Sequence, residues 1–365
     1  MKKLLFSLMA VSALLLTACH KDPVDPSNGG NQQEQIPTGD GVYNPGRHIS
    51  SLVYDDDRAA EIWLWDNGKL MSLNEDDYCG GYTPVSTFTY NGWRLAQTVT
   101  TGDLPATVKY TYNGDKLSGL NILSGGMQMA TADVLHTGDK ITHLDININD
   151  AFLQMMIGMI NNGGFNIGDI FNMSAGFGKQ LGTSMGRVLD AATQGGKFSV
   201  SSTAFTADLE WNGNNVSRMV VTGEVVMGVT VDELQQVLPL DSLMGGMASL
   251  LAYISAGQEL PLTVTVNDTT DLSYDSHVNP LQGFFGKIDP SILSANNVTQ
   301  LYNRGTMTAD LTISIPYLGD QHIPFSMPIG DGVMQHFNYT YNGAGYPFTV
   351  EDDSGVMTIY SYTED

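Results

Sequence analysis

Gly182-Thr183-Ser184-Met185-Gly186 has the Gly-x-Ser-x-Gly spacing that can lift a serine nucleophile on a sharp strand-to-helix turn, the geometry of acyl transfer. That chemistry needs an apolar strand running into the motif. None precedes it, and Met185 falls on the apolar side of a helical pattern, so Ser184 reads as a helix residue. Gly178-Lys179 lacks the first glycine and the following Ser/Thr of a phosphate-cradling loop. The seven histidines show no zinc spacing; His136 and His143 straddle a turn and read as structural or surface groups. Asp55-Asp56-Asp57 and Glu75-Asp76-Asp77 offer hard oxygens to Ca²⁺ but not the spaced ligands of an EF-hand loop. They read as solvated loops, with a cation shared across the hairpin they flank as the sharper alternative. Cys79 has no base or metal partner near it and reads as an incidental thiol. These residues yield no catalytic, cofactor or metal site, and the chain reads as non-enzymatic.

Aromatic side chains are the remaining candidates for chemistry. Trp63, Trp65, Trp93, Trp211 and the tyrosines beside the turns could stack against sugar rings. Their alternation places most of them on the face of Leu95 and Leu117, where a core would be, so packing is the expected role.

The elements that position these residues are announced by a repeated turn. "TYNG" occurs at 89–92, 111–114 and 340–343, and Asn-Gly is a strong signal for a tight type I′ hairpin. With Asn91-Gly92 as the two-residue loop, Tyr90 would face Trp93 and Phe88 would face Leu95. A looser unit recurs six times, an aromatic or His followed five positions later by an apolar or aromatic residue: Trp65/Leu70, Tyr90/Leu95, Tyr112/Leu117, His136/Ile141, Trp211/Val216 and Tyr341/Tyr346. In four of the six a basic residue precedes the second member: Lys69, Arg94, Lys116 and Lys140. Residues 50–149 therefore read as an up-and-down meander of hairpins.

Two stretches break the pattern. Over 150–195, Asp150 as an N-cap, an apolar run and Gly163-Gly164, then Leu181, Met185, Val188, Leu189 and Ala192, predict helices. Over 230–257, Met244, Met247, Leu250, Leu251 and Ile254 predict another, whose greasy stripe either completes the core or closes a cavity for an apolar ligand. The expected architecture is mainly β, an antiparallel meander curled into a barrel-like sheet with these helical insertions.

At the N-terminus, Lys2-Lys3, the apolar run Leu4–Leu16 and "LTAC" form a secretory signal over 1–18 that ends in a lipobox, with Cys19 as the lipidated first residue. Residues 19–45, rich in Pro, Gly, Asn and Asp, read as a disordered tether, and 46–365 as one β-rich domain. Removing 1–18 takes away two lysines and leaves 14 basic against 39 acidic residues, a charge of −25, which excludes nucleic acid as a partner. Lys and Arg beside the turns and Thr-rich second faces lack the apolar band a membrane-spanning barrel needs.

Together these motifs resemble known proteins. The stretch after Cys19 is similar to the start of Bacteroidota outer-membrane lipoproteins, in which acids after the lipidated cysteine accompany surface export; here Lys21 and Asp22 match. The Tyr-Asn-Gly-x-Lys/Arg-Leu unit, "YTYNGAGYPFTVEDD", "NPLQGFF" and "ILSANNVTQ" resemble a Bacteroidota outer-membrane lipoprotein family of unknown function, with YD-type hairpin repeats and a porin-like β fold. The resemblance implies a lipid-anchored, surface-exposed protein, with a periplasm-facing one as the alternative. It brings no activity. The expected role is a binding or scaffold module for a glycan, lipid or surface protein; the alternatives are a carrier of an apolar ligand under the Met-rich helices and, more distantly, a glycan- or ester-directed hydrolase.

Overall fold

The computed structural model describes residues 36–54, 61–76, 82–101, 105–152, 199–230, 258–286, 290–315, 317–329, 332 and 334–363. The chain divides into Met1–Ile36 and a compact unit, Pro37–Asp365, which carries the strands described below. The meander opens with β1 (Ile49–Tyr54), β2 (Glu61–Asp66), β3 (Lys69–Asp76), β4 (Tyr82–Asn91), β5 (Arg94–Thr100), β6 (Ala106–Asn113), β7 (Lys116–Ser124), β8 (Met127–Thr137) and β9 (Lys140–Ile148). Longer strands follow: β10 (Ser199–Asn212), β11 (Asn215–Val229), β12 (Leu260–Val278), the short helix α1 (Pro290–Leu293) and β13 (Asn296–Ile315). The chain ends in β14 (Gly319–Ile329), β15 (Met334–Tyr341), β16 (Pro347–Asp352) and β17 (Met357–Tyr362).

Each strand from β1 to β13 pairs antiparallel with the next, and β17 returns to β1 through Leu52↔Tyr360 and its neighbours, so the sheet closes. β14 pairs with Gly305–Ile315 of β13, and β15 pairs with Gln300–Tyr302 on the same edge. They therefore share one position, and the seventeen strands among the described residues make a sixteen-position barrel.

Closure follows from patterning. Along β12, Leu260, Leu262, Val264 and Val266 are buried while Pro261, Thr265 and Asn267 are exposed. Along β13, Met307, Ala309, Leu311, Ile313 and Ile315 are buried while Thr308 and Ser314 are exposed. A strict period of two folds the apolar face inward and leaves Thr, Asp and Lys outside. At the end that carries the Asn-Gly turns, Phe284, from the link between β12 and β13, enters the interior. Its ring lies 5.0 Å from those of Tyr43 and Trp63 and 5.5 Å from that of Phe88.

The hairpin register differs from the sequence expectation. Asn91 pairs with Arg94 and Tyr90 with Leu95, so the loop is Gly92-Trp93. Gly92, Gly114, Gly138 and Gly213 have positive φ at the first loop position alone, as in type II′ turns, whereas Asn67 (φ 49) and Gly68 (φ 76) are both positive. Glycine is the residue that adopts this φ without strain, so the loop slides one position onto it. Five of the six five-apart pairs face each other in place of the expected Tyr90–Trp93 and Phe88–Leu95 facings: Trp65↔Leu70, Tyr90↔Leu95, Tyr112↔Leu117, His136↔Ile141 and Trp211↔Val216. In the sixth, Tyr341 pairs with Pro347, because Asn342 Oδ1 accepts from the amides of Ala344 and Tyr346 and opens a wider loop.

Each of the five units also carries a bulge at one place. Met71, Ala96, Ser118, Thr142 and Ser217 have no partner across the ladder. The carbonyl just before four of the five bulges then accepts from a side chain of the next strand: Tyr90 Oη donates to Leu70 O (2.7 Å), Tyr112 Oη to Leu95 O (2.7 Å), Trp211 Nε1 to Ile141 O (2.8 Å) and Tyr274 Oη to Val216 O (2.6 Å). Burial pushes the Tyr90 and Tyr112 phenols up, so they stay protonated donors. The basic residues reach the following turn: Arg94 donates to Gly114 O, Lys116 to Gly138 O and Lys140 to Gly213 O. The repeat thus encodes a belt of interlocked turns.

Three further expectations meet the structure. The compact unit begins at Pro37 rather than 46, since Tyr43 is buried and Asp40 Oδ2 binds both the Leu117 amide and His136 Nε2 at 2.8 Å. The helices expected over 150–195 and 230–257 lie outside the described residues, apart from a first helical turn at 150–152. There Asn149, not Asp150, caps the amide of Phe152 (3.1 Å). The signal, Cys19 and most of the tether also lie outside them.

Gly114 offers a direct test of the belt. Val there must take φ 65 and should cost more than about 1 kcal/mol in urea denaturation. Gly343, in the wider loop and without a positive φ, should accept Val with a smaller loss.

Candidate functional site

The densest charged constellation among the described residues lies on the outer face across β9 to β13. It follows from register: His143 pairs with Asp208, Glu210 with Arg218, Arg218 with Asp271, and Asp271 with Tyr302. Adjacent strands stand ~4.8 Å apart, so the row spans about 19 Å. His143 Nδ1 lies 2.6 Å from Asp208 Oδ1 and its Nε2 3.1 Å from Asp145 Oδ1. Arg218 Nε donates to Asp271 Oδ1 at 2.6 Å, and its Nη1 lies 3.6 Å from Glu210 Oε2. Arg304 donates to the other Asp271 oxygen and stands 5.3 Å from the Tyr302 ring.

Three members of the row, His143, Arg218 and Asp271, have displaced pKa values. The hydrogen bond to Asp208 holds His143 above the ordinary imidazole value, against a smaller opposing effect of burial. Partial burial pushes Asp271 up, but the hydrogen bonds from Arg218 and Arg304 outweigh it and hold the carboxyl below its ordinary range. Displaced pKa values mark functional sites more often than chance, although structural ion-pair networks produce them too. The side chains stay accessible: Arg218 is 40% exposed, Arg304 45% and Asp208 57%.

The signs give a pH signature. Asp271, lowered in the fold, contributes stability above the unfolded carboxyl value near ~4 and loses it as pH falls through its folded value. His143, raised in the fold, contributes fully below about 6.5 and loses that contribution as pH rises through its folded value. The row should therefore stabilise most between about pH 4 and 6.5. Asp271→Asn should flatten the acid limb of a urea-midpoint profile, and His143→Gln the neutral limb.

A second polar group faces inward. Asn303 Nδ2 donates to Asp268 Oδ1 (2.8 Å) and Thr270 Oγ1 (3.1 Å), all three buried, beside the point where β13 changes partner from β15 to β14.

The residues singled out from sequence are scattered. His136 belongs to the turn belt and His143 to the outer row. Trp63 is buried in the core with its Nε1 on Glu61 (2.8 Å), Trp65 and Trp211 pack against the core, and Trp93 lies under Lys69 (4.8 Å), so the tryptophans form no exposed platform. Ser184, Cys79 and 55–57 lie outside the described residues, as do Asp77 and the Met-rich segment. Sequence reading missed Asp208, Glu210, Arg218, Asp271 and Arg304. Their signal was charge on the polar parity of long strands, which becomes a row only when strand order and bulges are known.

No family model and no curated protein matches the sequence. Among solved structures the chain is similar to one described as a porin-like protein from Bacteroides uniformis ATCC 8492. The two are 10% identical with a TM-score of 0.36, over 88% of this chain and 100% of that one. A likeness that distant says nothing about what either chain binds.

Proposed function

We propose that the chain is a non-catalytic binding module, held at a bacterial outer membrane by lipid on Cys19, that takes a hydroxyl-rich ligand such as a glycan on the outer row. The observation that carries this reading is the alternation of carboxylate acceptors and guanidinium donors from His143 to Arg304, flanked by the Tyr302 ring, on an exposed face. Hydroxyl groups both donate and accept, and a rigid sheet holds such partners in place without ordering cost. A hydrolase would need a carboxyl raised to serve as general acid; Asp271 is moved the opposite way. The polar outer face and the strong acidity support a barrel standing in water on its tether, facing the cell exterior, with a periplasmic orientation as the alternative.

Titration calorimetry against neutral and uronic linear oligosaccharides tests the reading. At least one should bind, and Arg218→Ala/Arg304→Ala should weaken it at least ~10-fold while leaving the fold intact. Failure of every probe, or full binding by the double variant, would remove it.

The runner-up is a carrier of an apolar ligand. Its support is the buried Asp268–Thr270–Asn303 group beside the apolar side chains of Val266 and Met307, the mixture typical of small-molecule sites. Native mass spectrometry of the purified protein would show a bound apolar molecule under this reading and none under the first.

A further inference from the structure

The hairpin of β13 and β14 ends in a turn closed from the Leu318 amide to the Ile315 carbonyl (3.1 Å), with Tyr317 third in the turn at φ 71. That position demands a left-handed backbone, which glycine adopts freely and tyrosine only at a cost. Tyr317 is 106% exposed and Leu318 69%, so neither side chain repays the strain by packing within this chain. We propose that this hairpin is a docking arm, and that its Tyr317–Leu318 tip enters an apolar pocket, rimmed by basic side chains, on another protein.

The charge of the arm selects that occupant. Between Gly305 and Ile329 the chain has two acidic residues, Asp310 and Asp320, and no Lys or Arg. Both acids lie on the outer face near the tip and brace the arm: Asp320 accepts from Ser314 Oγ (2.6 Å), and Asp310 Oδ2 lies 2.9 Å from His322 Nδ1. Apolar tips that enter lipid headgroups carry Lys and Arg beside them, the opposite arrangement. A second copy of a chain with net charge −23 is a poor source of a basic rim. Pairing by strand addition along β14 is blunted by Pro324 and Pro328, which have no N–H to offer. Position agrees as well: residues 39–48 lie against the turn belt, whereas β13 runs 20 residues away from it, roughly 60 Å along the strand, before the tip. The arm thus points away from the end against which residues 39–48 pack.

The test places benzoylphenylalanine at 317 in the full chain, irradiates intact cells and identifies the adduct by mass. The captured protein is then purified and titrated with wild type, Tyr317→Gly and Leu318→Ser. The expected result is one discrete protein adduct, with affinity reduced at least ~10-fold by either substitution and a Tm for Tyr317→Gly no lower than wild type. Failure to form an adduct, adducts to lipid alone with binding to anionic vesicles, adducts to a second copy alone, or a captured protein indifferent to both substitutions would each overturn the proposal.

Discussion

Phe284→Ala is expected to lower the free energy of unfolding by about 3–5 kcal/mol, the range for emptying a buried phenylalanine site that cannot collapse. Phe284 is 2% exposed, and its ring meets Tyr43, Trp63 and Phe88, which come from three different parts of the chain. The neighbours cannot follow the lost ring inward. Tyr43 is fixed by its hydroxyl on Pro280 O (2.8 Å), and Tyr110 by its hydroxyl on Phe285 O (2.8 Å). Gly286 adds a steric limit, since a Cβ there would fall 2.6 Å from the Phe284 ring and 2.7 Å from that of Phe88. Guanidinium denaturation of the two proteins measures the difference. A loss under about 1 kcal/mol would mean that Phe284 does not fill the barrel end.

The second large effect reverses an ordinary propensity. Gly→Ala inside a strand normally stabilises by about 0.5–1 kcal/mol. Gly223→Ala should instead destabilise by about 1–3 kcal/mol, because the new Cβ would lie 2.2 Å from Cε1 and 2.3 Å from Cδ1 of Phe205. Phe205 pairs directly with Gly223 and is 2% exposed, so its ring covers the glycine and has nowhere to turn. Adding Phe205→Leu to Gly223→Ala should recover part of the loss, whereas Phe205→Leu alone should cost stability. A Gly223→Ala protein as stable as wild type would contradict the packing of β10 on β11.

The parts of this fold that local chemistry dictates could be read from the sequence. The meander, the positions of its tight turns and the core role of Trp63 follow from period-two alternation and turn residues. Register depends on which residue takes positive φ, and Gly92, not Asn91, does so, which moved the loop by one position. The bulges at Met71, Ala96, Ser118, Thr142 and Ser217 add a second shift that no local signal announces, because at all but Ser118 the carbonyl before the bulge accepts from a side chain of the neighbouring strand. The outer row was hidden for the same reason. Arg218 and Asp271 lie 53 residues apart and meet only because β11 and β12 pair in one register. Asp40 shows the limit at the other end: its polar surroundings read as tether, yet it bridges Leu117 and His136 in the belt.

The central claim, that ligand is taken on the outer row and not inside the barrel, is tested most directly by hydroxyl-radical footprinting at saturation with the tightest oligosaccharide from the calorimetric panel. The account predicts reduced oxidation at His143 and Tyr302, with Phe284, Trp63 and Tyr317 unchanged. Protection confined to inward-facing side chains, with His143 and Tyr302 oxidised as in the free protein, would contradict it.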